Sequence, residues 1–266
     1  MPILVTADLH LDIWLQAGRD PLAALEPAVW PSLDALIVAG DLGNKPKTRW
    51  PKLIAHLARY ITPERIHILP GNHDYYDHAI DGEDRLARLC TEAGARFIQK
   101  AEFVIGATRA LTCTLWTDFA LHGDTAAAQR LALQRMNDYR HIRHAGAGYR
   151  RLRHADTALI HADHRAWLET RLAAPFPGRT IVITHHCPHP GMIGAQRTAL
   201  DPVYASNLLP LITRYQPHAW LFGHTHHHAE ATVGSTTLRN VSLGYPDQVE
   251  PDEEPRIIMR GMISEP

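Results

Sequence analysis

The sequence predicts an α/β fold built on a largely parallel sheet. Short, unpunctuated apolar runs alternate with helical patterns, and each run stops at a polar cluster. The runs are residues 3–7 (ILVTA), 35–39 (ALIVA), 66–69 (IHIL), 180–184 (TIVIT) and 219–222 (AWLF). Their length and their Val, Ile and Leu content mark strands buried on both faces. Helical patterns fall at about 49–60, 81–93, 162–173 and 203–215. The second opens with Asp81 and closes before Gly94, plausible start and stop signals. Strands alternating with helices imply parallel pairing, and ligands of such sheets bind beyond the strands' carboxyl ends. All five polar clusters fall at that edge: Asp8, Gly40-Asp41, Gly71-Asn72-His73, His185-His186 and Gly223-His224-Thr225-His226.

Two stretches depart from the alternation. Residues 96–116 read as consecutive antiparallel strands, and the tail repeats the theme at 229–243 and 256–262; together these can build a second sheet. Residues 118–157 hold a helix from Thr125 to about Tyr139, then the Arg/His/Gly-rich segment RHIRHAGAGYRRLRHAD. With no internal repeat and no low-complexity linker, the expectation is one domain over 1–266 with a cap inserted at 118–157.

Composition narrows the function. The chain has 266 residues, 45% apolar and 21% charged, ordinary for a globular protein. A formal net charge of -1 provides no global field for nucleic acid, so that partner is possible only through a local patch and is not favoured. No apolar stretch suits a membrane span, and residues 1–7 lack the basic start and cleavage site of a signal peptide. Cys90, Cys113 and Cys187 show no CxxC spacing, which points to a reducing cytoplasm. The outlying number is 19 histidines, and position must separate ligands from surface decoration.

Asp8 and His10 stand two apart after a strand, as do His224 and His226, so each pair can reach one metal. Carboxylate, imidazole and amide together suit zinc, manganese or iron. Asp8-Leu9-His10, Gly40-Asp41, Gly71-Asn72-His73-Asp74, His185 and Gly223-His224-Thr225-His226 resemble the calcineurin-like metallophosphoesterase superfamily, motif for motif and in order. The resemblance implies two mixed sheets packed as a sandwich and flanked by helices. It implies that Asp8, His10 and His226 hold a first metal ion, that Asn72, His185 and His224 hold a second, and that Asp41 bridges them. His73 would face the leaving group. The reaction implied is attack of metal-bound hydroxide on the phosphate ester of a small molecule or nucleotide. Asp74, beside His73, is a candidate to orient it.

Other residues invite blander readings. Taken singly, Asp41 could be a helix cap and Asn72 part of a simple turn. No motif claims His227 or His228; His161 and His164 read as surface or capping residues, and Cys187 as an inert thiol. Candidate substrate contacts are Tyr139, Arg140 and Arg143 in the cap, near Asn137 and Asp138, and His189 and Arg197 in the loop 187–200. A phosphodiester is favoured slightly over a phosphomonoester, and the stretch Gly40 to Asn44 lacks the Arg that follows this motif in the family's protein phosphatases, which argues against a phosphoprotein substrate. The alternative is a catalytically silent metal-binding scaffold of the same fold, which the retention of all seven ligands and His73 argues against. A metallo-β-lactamase-like hydrolase would need an HxHxDH cluster that this sequence lacks.

Overall fold

The computed structural model describes residues 1–194 and 198–264. Its strands are β1 (Ile3–Thr6), β2 (Ala35–Ala39), β3 (Ile66–Leu69), β4 (Arg96–Phe97), β5 (Ala101–Ile105), β6 (Thr108–Cys113), β7 (Arg143–His144), β8 (Arg150–Arg151), β9 (Arg179–Thr184), β10 (Ala219–Phe222), β11 (Glu230–Val233), β12 (Thr236–Asn240) and β13 (Met262–Ile263). The helices are α1 (Leu11–Gln16), α2 (Val29–Ser32), α3 (Pro46–Leu57), α4 (Glu83–Glu92), α5 (Thr125–Arg135), α6 (Asp138–His141), α7 (His154–Ala173), α8 (Asp201–Tyr204), α9 (Leu209–Tyr215) and α10 (Glu254–Met259). One sheet runs β13-β1-β2-β3-β4, the other β11-β12-β10-β9-β6-β5, and β7 with β8 forms a separate hairpin. Pairing is parallel through β1, β2, β3 and β4 and through β12, β10, β9 and β6. β13, β5 and β11 join antiparallel at the margins.

The unpunctuated runs have a direct physical reason. Successive strand side chains point to opposite faces, and both faces here are covered. Ile3, Val5, Ile37, Ile181, Ile183 and Leu221 fill the layer between the two sheets. Leu4, Leu36, Val38 and Ile68 turn outward against Trp14, Trp50 and Ile54. On the far side Val182, Trp220 and Phe222 meet Leu168, Leu172 and Ile212. This is the two-sheet, helix-flanked architecture expected. Among the described residues, no helix is long and apolar enough to cross a membrane.

Several expectations change. Residues 256–262 were expected as a strand, but Glu254–Met259 is helical and only Met262–Ile263 pairs with β1. β4 joins the first sheet, parallel to β3, instead of continuing an antiparallel run. The helical stretch 203–215 divides into α8 and α9, and α7 begins at His154. His161 and His164 are therefore buried within α7, not surface or capping residues. In the segment 118–157, Asp124 Oδ1 accepts from Ala127 N at 2.9 Å and caps α5. The helix stops at Arg135, two residues continue in another conformation, and α6 follows.

Candidate metal centre and catalytic cleft

The carboxyl ends of β1, β2, β3, β9 and β10 converge on one edge of the sandwich. Two glycines let them approach. A side-chain carbon at Gly40 would overlap the His185 ring, and one at Gly223 would overlap the Asp8 carboxylate. Beyond these ends the backbone turns sharply: Asp8, His10, Asp41, His224 and His226 all have left-handed φ, between 38° and 68°. Non-glycine residues accept this conformation at a cost and concentrate it at functional sites.

The structure gathers all seven expected ligands there. Asp8, His10 and His226 bring donor atoms within 4.8 Å of one another, as do Asp8, Asp41 and His185. Asp41 Oδ2 lies 3.8 Å from His10 Nε2 and 3.5 Å from His185 Nε2, between the two histidines. Asn72 Oδ1 sits 2.9 Å from His185 Nε2. His224 packs beside His185, with ring centroids 5.0 Å apart.

Neighbours fix which atoms face inward. His185 Nδ1 donates to Ala39 O at 3.1 Å, and His226 Nδ1 donates to Gln248 Oε1 at 2.8 Å, so each leaves Nε2 as a lone-pair donor. Asn72 Nδ2 donates to Asp138 Oδ1 at 2.8 Å, which turns Oδ1 toward His185. Asp8 Oδ2 accepts from His224 N and Ser242 Oγ. Buried polar atoms are almost always paired. Yet Asp8 Oδ1, both ring nitrogens of His10 and Nε2 of His224 are buried and have no hydrogen-bond partner. These unsatisfied atoms, which include one lone-pair nitrogen on each neutral ring, fit metal ions in a carboxylate and imidazole cluster.

The electrostatics agree except at His226, where burial disfavours the charged ring but Asp8 and Gln248 outweigh it and raise the pKa. Burial, then neighbouring imidazoles, pushes His10 and His224 well below the ordinary histidine range; burial also lowers His185. Neutral imidazole is the metal-binding form. Burial opposes ionisation of Asp8, but His226, His185 and His10 outweigh it and hold its carboxyl low. Burial, with Asp8 and Asp74, pushes Asp41 well above the usual carboxylate range, so this cluster favours added positive charge.

His73 reaches the cluster from β3's carboxyl end. Its Nδ1 donates to Asn44 Oδ1 at 3.0 Å, its ring stacks on Tyr76 with centroids 4.3 Å apart, and it meets His10 edge-on. Asn44 Nδ2 in turn faces Asp12 Oδ2 at 3.4 Å. Asp74 does not orient His73. Its carboxylate accepts from Asp41 N, Gly43 N, Gly71 N and Trp50 Nε1, and so ties the β2 and β3 loops together. His186 packs against His224, with ring centroids 4.1 Å apart, while its Nδ1 donates to Thr114 O at 3.1 Å and its ring also meets Trp116.

An open cleft of about 360 Å³ stands over Asp41, Asn72, His73, His224 and His226. Its other walls differ from those expected. Tyr139 is buried, with its hydroxyl 3.3 Å from Thr157 Oγ1. Arg140 is exposed, donates to Gln134 O and does not line the cleft. Arg143 lies in the hairpin, opposite Arg151. His189 bonds within its own loop, accepting from Gly191 N, and Arg197 lies outside the described residues. Cys187 is buried, and burial pushes its thiol up to about 12, consistent with an inert residue. Lining the cleft instead are Arg135, Met136, Asn137, Tyr204, Tyr245 and Gln248. Tyr245 could have been found from the sequence: the strand expected over 229–243 stops at Gly244-Tyr245, much as the five apolar runs stop at polar clusters. No comparable signal marks Arg135 or Tyr204.

Comparisons with known proteins agree with the fold. The sequence profile of the calcineurin-like phosphoesterases matches residues 1–228. An uncharacterized protein of Acanthamoeba polyphaga mimivirus is 24% identical over 229 residues, covering 79% of this chain and 78% of that one. The phosphopantetheinyl hydrolase of Mycobacterium tuberculosis superposes with a TM-score of 0.68 at 18% identity, over 97% of this chain and 91% of that chain. A protein of Thermus thermophilus does so with a TM-score of 0.52 at 13% identity, over 95% and 90%.

Proposed function

The chain belongs to the calcineurin-like phosphoesterase family, and we propose that it is a hydrolase of small phosphodiesters with a dinuclear centre. Asp8, His10 and His226 would hold one ion, Asn72, His185 and His224 the other, and Asp41 would serve both. The observation that carries this reading is the set of buried atoms on Asp8, His10 and His224 that have no hydrogen-bond partner. Manganese, iron and zinc all suit a carboxylate, imidazole and amide donor set. When bound, such ions supply Lewis-acid charge on a phosphoryl oxygen and acidify an attacking water.

The protein's own groups do the rest. Asn44 fixes the ring of His73 and leaves Nε2 free to meet the ester oxygens. Burial, then His185, lowers the His73 pKa to about 4, so the ring rests neutral; to serve the leaving oxygen, Nε2 first takes up a proton from solvent and then passes it to that oxygen as the ester bond breaks. Tyr76 against His73, and Tyr245 against His10 at 4.4 Å, exclude water from one face of each ring.

Charge balance supports the diester. Two divalent ions offset by Asp8 and Asp41 leave a modest positive excess. Arg135 is the one Arg or Lys among the described residues lining the cleft. A singly charged diester suits that site better than a doubly charged monoester. Protein stripped by a chelator should lose hydrolysis of bis(p-nitrophenyl) phosphate and regain it with manganese. Turnover of p-nitrophenyl phosphate should remain the slower. Faster monoester turnover would reverse the preference, and activity indifferent to chelation would defeat the metal-dependent reading.

A further inference from the structure

One wall of the cleft is not explained by the metal ligands. Arg135 ends α5 and Asn137 precedes α6; both are exposed and both line the cleft. Among the described residues, neither side chain has a hydrogen-bond or ion-pair partner. Their backbone, by contrast, is fixed. Met136 N donates to Ala132 O at 2.8 Å, and Arg140 N and His141 N both donate to Asn137 O at 2.9 Å. The next residue, Asp138, is 2% exposed and accepts from Asn72 Nδ2 and from Tyr76 Oη, at 2.8 and 2.7 Å. A free guanidinium and a free amide are thus held on a connection bolted to an expected metal ligand.

We infer that Arg135 and Asn137 form a subsite for a second anionic group of the substrate, a phosphate or carboxylate remote from the scissile phosphate. This deepens the diesterase reading and rests on it. The expected ligands Asp41 and Asn72 are buried at the floor, whereas Arg135 stands exposed on the wall. Guanidinium forms two parallel bonds to such an oxyanion, and the amide of Asn137 adds a donor. Of the cap arginines, Arg140 has its guanidinium engaged by Gln134 O outside the cleft, so position and not charge alone selects Arg135.

Two chromogenic diesters with one scissile bond test this. They are the p-nitrophenyl ester of thymidine 5′-phosphate and the same compound carrying a 3′-phosphate, assayed on manganese-loaded protein. The 3′-phosphorylated ester should have roughly tenfold higher kcat/KM, expressed in KM, the scale of one charge-assisted hydrogen bond. Arg135→Gln should bring the ratio near one, Arg135→Lys should restore part of it, and Arg140→Gln should keep it. A wild-type ratio near one, or a ratio unchanged in Arg135→Gln, would overturn the subsite. So would equal loss on both esters, which would assign Arg135 to the scissile phosphate. If wild type cleaves p-nitrophenyl phosphate but neither diester, the diesterase reading itself fails, a result distinct from the others.

Discussion

Asp138 shows how much one side chain outside the ligand set can control. Its buried carboxylate takes the Asn72 amide N–H and so decides that Asn72 presents oxygen, not nitrogen, to His185. Removing such a partner of a metal ligand typically weakens binding about 10- to 100-fold. Asp138→Ala should therefore weaken one of two manganese-binding steps, the one to which Asn72 would contribute, by about that much in a calorimetric titration, with the other less affected. Asp138→Asn, which keeps an acceptor oxygen, should recover most of the loss. Equal affinities in wild type and Asp138→Ala would show that Asn72 is held without it. Asp138 was visible in the sequence only as one polar residue of the cap. Nothing in its spacing tells that it folds back 66 positions to Asn72.

Among the elements, α7 carries a built-in acid sensitivity. His164 is 4% exposed and accepts from Leu115 N at 3.2 Å, so it must stay neutral to keep that bond. Burial lowers its pKa from 6.5 to about 4. The unfolded chain protonates it first, so its contribution is complete above pH 6.5 and is lost as pH falls toward 4. The full loss is about 3 kcal/mol, and urea unfolding at pH 7.5, 5.5 and 4.5 should show a flatter pH dependence for His164→Gln than for wild type. Identical slopes would mean that His164 takes up its proton without cost. The sequence alone placed this histidine on the surface, because the pattern was read from 162 and missed the two turns before it. The strands that lead to the expected ligands were legible because burial on both faces leaves mostly apolar residues in them. The segment Arg256–Met262 was misread because a short apolar run fits either period until its neighbours are known. The cap contacts failed for a related reason: α6 has only four residues, and its packing turns Tyr139 inward.

In the molecule as a whole, two sheets pack so that residues from Asp8 to His226 meet at one edge. The order of the motifs made this gathering readable in the sequence. The cleft's outer wall was not readable, since it depends on where α5 stops and how α6 packs. The same edge concentrates left-handed backbone, unpaired lone pairs and opposed pKa shifts, costs that bound cations would offset. The most direct test is to titrate chelator-stripped protein with manganese while counting bound ions and following bis(p-nitrophenyl) phosphate hydrolysis in the same samples. Two ions should bind per chain, hydrolysis should rise with the second, and Asp41→Ala should abolish both the paired binding and the activity. Full hydrolysis with one ion or none, or two ions and wild-type rates in Asp41→Ala, would contradict a shared dinuclear centre.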